Sequence, residues 1–230
     1  MDEPRWDDVL AASARLQHLL PDAVLVGGSA AALHAEHRVS FDDDHVLDDL
    51  RSRFDEVLEH LEVADGWVTA RVKRPVLILG SLDGIETGVR QLVRRRPLDV
   101  EQLGVPGGTI RIPVVEEMLR VKAWLVLRRN ATRDYLDVVA LAERLGLGAA
   151  VAVLVELDEY YEDQQGAGGR RVATQLAKQL ADPAPYDLSE VDLRHYRELA
   201  PRWRRWDAVR DACRDLAVRM VETLDETASS

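Results

Sequence analysis

Val26-Gly-Gly-Ser-Ala-Ala-Ala-Leu-His-Ala-Glu-His-Arg-Val-Ser-Phe-Asp-Asp-Asp-His-Val46 carries the two signals on which the reading of this chain turns. A short β-prone run, residues 23–26, meets a pair of glycines, and the alanine-rich stretch from Ser29 onward favours a helix. Gly27 and Gly28 permit a sharp turn and a close backbone approach to a ligand. The free N–H groups and positive dipole end of the new helix attract an anion. The Ser29 hydroxyl can cap the helix or touch a phosphate. An ordinary strand-to-helix turn uses the same residues, so Gly-Gly-Ser alone has little specificity.

Twelve residues separate Ser29 from Asp42-Asp-Asp44. In a strand, residues i and i+2 share a face, so Asp42 and Asp44 converge while Asp43 points away. Two close carboxylates repel each other and are relieved by Mg²⁺ or Mn²⁺; Mg²⁺ takes one or two carboxylates plus phosphate oxygens. Two such ions can activate an attacking hydroxyl and stabilise a leaving pyrophosphate. The competing reading is solvated charge, since residues 42–65 hold ten acids against two arginines. Joined to the glycine turn, the acids point to nucleotidyl transfer from a nucleoside triphosphate. Ser40 lies two residues before Asp42, on the same expected strand face. It is a candidate regulatory phosphosite, because a phosphate there adds about −1.5 to −2 charges.

The combination of Gly-Gly-Ser, helix and Asp-x-Asp resembles the DNA polymerase β-type nucleotidyltransferase superfamily. Two further segments narrow the resemblance: Leu79-Gly-Ser-Leu-Asp-Gly-Ile-Glu-Thr-Gly-Val-Arg-Gln-Leu92 and Lys122-Ala-Trp-Leu-Val-Leu-Arg-Arg-Asn-Ala-Thr-Arg-Asp-Tyr-Leu-Asp137. They are similar to AbiEii-type toxins, including the MenT branch, which carry a Lys followed by an Arg-Asp-x-x-Asp element. The resemblance runs from about Val24 to Leu141. It implies Asp42 and Asp44 as metal ligands and Gly27, Gly28 and Ser29 as nucleotide-binding residues. It places Asp134 in the active site, orienting Lys122, with Asp137 in a supporting role. Glu86 fits a third acid better than Asp83. Asp43 is a departure, standing where the superfamily has a non-acidic residue, and it adds negative charge beside the metals.

Lys122 can also be read from its surroundings. Residues 114–129 read as a helix, with Met118, Leu119, Leu125 and Val126 on one apolar stripe and Lys122 in its middle. A lysine there must snorkel to water or find an anion. Lysine occurs only at positions 73, 122 and 178, against 27 arginines (30 basic residues minus 3), so its retention here adds a hint. Its expected role is to neutralise the triphosphate during transfer. Thr132 is a plausible N-cap for the following helix, whose first turn holds Arg133 and Asp134. Acids are favoured there by the dipole in any case.

The chain of 230 residues, 47% hydrophobic, can bury a substantial core. The single Cys213 excludes an internal disulfide and reads as a buried thiol. No cationic, apolar leader opens the sequence and no apolar run reaches membrane-spanning length, so a cytoplasmic protein without a membrane partner is expected. A net charge of −11 argues against indiscriminate nucleic-acid binding. The charge is uneven: residues 194–214 carry seven Arg against three acids, with Tyr196, Trp203 and Trp206 interleaved. Such a patch can hold RNA phosphates while aromatics stack on bases. Core tryptophans among solvated arginines fit the same pattern.

The expected architecture is α+β: an N-terminal nucleotidyltransferase-like mixed sheet with flanking helices over 1–112, and a C-terminal helical domain over 113–230. Strand-like or helical runs fall at 5–20, 23–27, 29–36, 39–46, 47–62, 66–73, 75–82, 85–93 and 109–112. Loops are expected at 94–97, 104–108, 164–169 and 182–187. Lys122 and Asp134 are expected to meet the metal carboxylates in a cleft between the domains. The leading function is a Mg²⁺- or Mn²⁺-dependent nucleotidyltransferase acting as the toxin of a bacterial toxin–antitoxin pair. The resemblance implies an RNA acceptor, a tRNA 3′ end foremost, and a cognate antitoxin. Transfer to a protein or a small hydroxyl compound, and a nucleotide-binding module without turnover, remain as alternatives.

Overall fold

The computed structural model describes residues 5–41, 43–162 and 171–228, so Asp42 and the glycine-rich run at 164–169 lie outside the described residues. The chain divides into two compact units. One comprises residues 1–30 and 40–114, and the other residues 31–39 and 115–230.

The first unit is built on a five-stranded mixed sheet. In chain order its elements are α1 (Trp6–Leu19), β1 (Val24–Leu25), the start of α2 (Gly27–Ala35), β2 (Asp43–Leu47), α3 (Phe54–Glu62), β3 (Trp67–Lys73), β4 (Leu77–Leu82) and β5 (Ile85–Gln91). The sheet order is β1-β2-β5-β4-β3. β2 runs antiparallel to β1 and parallel to β5, and β5, β4 and β3 form an antiparallel meander. A mixed sheet with flanking helices and a separate helical unit is the α+β class expected from the sequence.

One hydrophobic core lies under this sheet. Leu16 and Leu20 follow α1, Phe54, Val57, Leu58 and Leu61 line one stripe of α3, and Leu47, Ile78, Leu82 and Val89 point in from the strands. The period-three-to-four spacing on the helices and the period-two spacing on the strands bring these residues to a single layer.

Three boundaries differ from the sequence reading. β2 begins at Asp43, not residue 39, so Ser40 precedes the strand. The acidic run does not form one helix from 47; residues 48–53 turn, and α3 starts at Phe54, where the apolar stripe begins. The segment around Gly104–Gly108 is not simply a loop. It is a hairpin of β6 (Val100–Val105) and β7 (Gly108–Pro113), closed by Pro106 and Gly107.

Gln17 of α1 ties this hairpin in place. Its Nε2 donates to the Arg111 carbonyl at 3.0 Å, and its Oε1 accepts from the Arg111 N–H at 2.6 Å. The side-chain amide thereby acts as a strand neighbour for β7 and satisfies both main-chain groups of one residue.

The second unit is helical. It holds the end of α2, then α4 (Val115–Arg129), α5 (Thr132–Leu145), α6 (Leu147–Val155), the short α7 (Leu157–Tyr160), α8 (Val172–Ala181) and α9 (Trp206–Ala228). Met118, Leu119, Val126, Leu136, Leu141, Leu154, Leu176 and Met220 are buried in it. Trp203 is buried, and Trp206 packs edge-on against Tyr135 at 5.8 Å. These two tryptophans are thus packing residues of the helical unit. Among the described residues no single helix is long and apolar enough to cross a membrane.

Replacing Gln17 by Ala leaves two main-chain groups of Arg111 without their partner. The expected cost is about 2 kcal/mol. Thermal unfolding should show a lower midpoint for Gln17→Ala than for alanine at the neighbouring exposed His18; equal midpoints would count against the strand-neighbour role.

Candidate active site

Strand β2 sorts its acids by face. Asp43 is buried, and its carboxylate accepts from the Ser13 hydroxyl of α1 and from Thr87 Oγ1 of β5 at 2.8 Å. Thr87 Oγ1 also lies 2.7 Å from the Asp43 carbonyl. His45, two residues on and on the same face, is fully buried beside it, with Nδ1 3.6 Å from Asp43 Oδ1. Burial holds the His45 imidazole below its ordinary pKa and so keeps it neutral. The extra acid of the motif is therefore a hydrogen-bonded structural carboxylate.

Asp44 points to the opposite face and keeps about a third of its side chain exposed. Two glycines border its carboxylate. Gly27, which opens α2 at φ 78°, would carry a Cβ 3.5 Å from Asp44 Oδ2. Gly88 of β5 would carry one 3.3 Å from Oδ1 and 2.7 Å from Leu79 Cδ2. A larger residue at 88 would clash first with Leu79 and come close to the carboxylate, while Gly27 is needed for its left-handed backbone. The parallel register pairs Asp43 with Thr87 and Asp44 with Gly88. Alternation then sets Glu86, Gly88 and Arg90 on the face of Asp44. Glu86 is exposed, and Arg90 Nε lies 3.2 Å from Asp44 Oδ1. Asp83 instead sits in the β4–β5 turn at φ 54° and pairs with Arg15.

The turn itself is tight. The Val26 N–H donates to the Asp44 carbonyl at 2.8 Å, joining β1 to β2. Ser29 is buried and its hydroxyl donates to the Ser40 carbonyl at 3.1 Å. That proton is committed within the fold, so what the turn offers an anion is backbone N–H, at Gly28 foremost. Ser40 is itself buried and ahead of the strand, so it does not share a strand face with Asp44 as expected.

In the helical unit the expected pairing is exchanged. Lys122 is buried and Nζ lies 2.6 Å from Asp137 Oδ2, so Asp137, not Asp134, holds the lysine. Arg38 donates to both Asp137 oxygens, from Nε at 2.9 Å and Nη2 at 3.2 Å. His37 Nε2 lies 2.8 Å from Oδ1 and, facing a carboxylate, carries the proton. Burial alone would raise the Asp137 pKa, but Arg38, Lys122 and His37 hold it well below the carboxylate range. Burial, with Arg38 adding to it, lowers the Lys122 pKa against the pull of Asp137.

Asp134 is buried and accepts from Arg129 Nη2 at 3.0 Å, while its Oδ2 has no hydrogen-bond partner among the described residues. Burial raises its pKa, opposed by Arg129 and Lys122. Thr132 is the first helical residue of α5 and Ala131 the N-cap. The capping carboxylate comes from Asp187, which accepts from both the N–H and the hydroxyl of Thr132 at 2.8 Å. Cys213 is fully buried, and burial pushes its thiol up to about 12.

Sequence reasoning missed Gly88, Arg90, His37 and Arg38, although all four lie inside the segments that carried the resemblance. A glycine two residues beyond a candidate acid was the available signal for Gly88. Among the described residues no group of three or more His, Cys, Asp or Glu could hold a metal. The donor that is present suits Mg²⁺, which takes one or two carboxylates and completes its shell with phosphate and water oxygens. Asp44, half-buried and on the sheet face that also carries the exposed Glu86, is the donor such an ion would use.

No protein-family profile matches the chain. It is similar to the heme uptake protein MmpL11 of Mycobacterium tuberculosis, 32% identical over 235 residues covering 93% of this chain and 22% of that protein. The mycolic acid-containing lipids exporter MmpL11 of Mycolicibacterium smegmatis is 36% identical over 130 residues, 56% of this chain and 13% of that protein. The chain thus spans less than a quarter of the length of these curated relatives. Among solved structures, the antibiotic-resistance factor ANT(2'')-Ia aligns over 68% of this chain and 94% of its own, at TM-score 0.48 and 11% identity. An antigenic nucleotidyltransferase-like protein from Paracoccidioides brasiliensis aligns over 69% and 89%, at TM-score 0.45 and 17% identity. Scores below 0.5 do not by themselves establish a shared fold.

Asp137→Ala should be far more damaging than its size suggests, because Arg38 and Lys122 stay buried after losing the carboxylate they share. The expected loss is about 3–5 kcal/mol. The Asp137 pKa is depressed on folding, so its contribution is complete above the unfolded value near 4 and fades as pH falls below it. Chemical denaturation across pH 2–6 should therefore show a steeper acid loss for the wild type than for Asp137→Asn.

Proposed function

We propose that this chain is a nucleotidyltransferase that uses a divalent metal and a nucleoside triphosphate. The observation that carries the proposal is the Asp44 carboxylate set between Gly27 and Gly88, at the turn into α2 and on one strand face with Glu86. Asp44 and Asp42 would hold Mg²⁺ or Mn²⁺, with Glu86 as the third acid. Such an ion, when bound, neutralises phosphate charge and activates a hydroxyl. The backbone at Gly27 and Gly28 receives phosphate oxygens at the positive end of α2. Lys122, kept in one position by Asp137, supplies cationic stabilisation of the transferring group. Asp134, with a raised pKa and an unpartnered oxygen, is the acid–base candidate of the helical unit.

The acceptor is proposed to be RNA, a tRNA 3′ end foremost, and the biological role that of a toxin with a cognate antitoxin. These two statements rest on the likeness of the 79–92 and 122–137 segments to AbiEii-type toxins. The burial of Trp203 removes one source of base stacking, so the RNA reading leans on the charge of the arginine patch at 194–214 more than on its aromatics. The MmpL11 names describe whole transporters, and their transport functions are not carried over to this chain.

A second reading is a nucleotide-binding module without turnover. It is favoured by Arg90, whose guanidinium already occupies the metal-facing side of Asp44.

Incubating the protein with Mg²⁺, tRNA and each labelled triphosphate separates these readings. Turnover predicts labelled tRNA and released pyrophosphate, with Asp44→Asn lowering the rate at least about 100-fold. Tight triphosphate binding without pyrophosphate release would support the module. Transfer unaffected by Asp44→Asn would sink the metal assignment.

A further inference from the structure

Asp44 is not the only charged group on its face of the sheet. Arg90 stands on β5 one alternation beyond Gly88, the residue in register with Asp44. Gly88 presents no side chain, and the Arg90 side chain reaches back over it to place Nε 3.2 Å from Asp44 Oδ1. Both partners are partly open to solvent, Arg90 at 45% and Asp44 at 31%. Exposed pairs of this kind are weak and easily exchanged. A guanidinium offers five donors in a planar fork that matches phosphate as well as carboxylate. A single weakly held cation therefore sits where a metal would bind, beside a helix start suited to a triphosphate.

We propose that Arg90 is a positioning residue that couples metal entry to triphosphate binding, resting on the reading of Asp44 as a metal ligand. With neither present, Arg90 neutralises Asp44 and disfavours a bare divalent ion through repulsion and competition for Oδ1. When a polyphosphate arrives, Arg90 exchanges the carboxylate for phosphate oxygens and leaves Asp44 to the metal. Each ligand then strengthens the other, and by linkage the enhancement is the same in both directions. The site is thereby kept from accumulating metal without its substrate.

The test needs no turnover. Mn²⁺ binding to the full chain is measured by electron paramagnetic resonance, alone and with saturating inorganic tripolyphosphate, the free Mn²⁺–tripolyphosphate complex being subtracted. Tripolyphosphate binding is measured separately by calorimetry. For Arg90→Ala the expected result is Mn²⁺ binding about two- to fivefold tighter in the absence of polyphosphate. Tripolyphosphate binding should be about tenfold weaker or more, and the mutual enhancement should shrink to what direct metal–phosphate contact supplies. Arg90→Lys, which keeps the charge but not the fork, should retain the metal effect and lose part of the polyphosphate effect. A role limited to folding would weaken both ligands together. Unchanged Mn²⁺ affinity in Arg90→Ala, or enhancement equal to wild type, overturns the inference. Asp44→Asn is the control for the underlying reading: if it binds Mn²⁺ as wild type does, the metal site itself is refuted. If it abolishes binding while Arg90→Ala changes nothing, only the role of Arg90 fails.

Discussion

The facing of strand β2 governs everything proposed for the first unit, and Asp43 sets that facing. The two adjacent acids that open β2, Asp43 and Asp44, admit two facings that differ by a single-residue slip. The buried carboxylate of Asp43 accepts from Ser13 on α1 and from Thr87 on β5, so it is held from two elements at once. A slipped strand would place Asp44 against those donors and turn Asp43 toward the glycine turn. It would also move the buried, neutral His45 to the other face. Asp43 thus serves as the register lock for its neighbour, with its own carboxylate turned away from the Asp44 face.

The helical unit uses a buried carboxylate differently. Asp137 gathers His37, Arg38 and Lys122, and no position in this cluster is tolerant of losing its partner. A lysine on an apolar stripe is costly unless an anion meets it. Asp137 meets that need and also fixes where the ammonium stands. His37 and Arg38 come from the same stretch that carries the glycine turn and the acid run. That 21-residue segment, 26–46, therefore supplies side chains to both compact units.

Much of this was legible in the sequence. The glycine turn, the helix after it, the alternation of the acids and the hairpins around residues 67–91 all follow from local patterning. Lys122 was found because a cation on an apolar stripe is locally anomalous. The misreadings share a cause. Asp134 and Asp137 are one helical turn apart, and no local rule tells which of them faces Lys122; the packing of α4 on α5 decides it. The partners of Asp43 stand 30 and 44 positions away, so its role was invisible until the strands were paired. The β6 strand was lost because Gly104, Pro106, Gly107 and Gly108 signal a loop, whereas only the Pro106–Gly107 pair turns. Trp203 read slightly better as core than as stacking surface, and its burial agrees with the core reading.

Asp43 and Asp44 are adjacent residues on one strand, yet their environments are opposites. Asp43 is buried and is met at each oxygen by a hydroxyl, as buried polar groups require partners. Asp44 is bordered by two missing side chains, partly solvated, and engaged by one exposed guanidinium. Structural carboxylates are usually satisfied completely, whereas the Asp44 carboxylate is half-buried and is engaged among the described residues through Oδ1 by Arg90. The space left by Gly27 and Gly88 is costly in chain entropy and contributes no packing of its own. Gly27 is required by its left-handed backbone at the turn, and Gly88 by the Leu79 side chain 2.7 Å from where its Cβ would stand, so packing and the nearby carboxylate bear on the second glycine together.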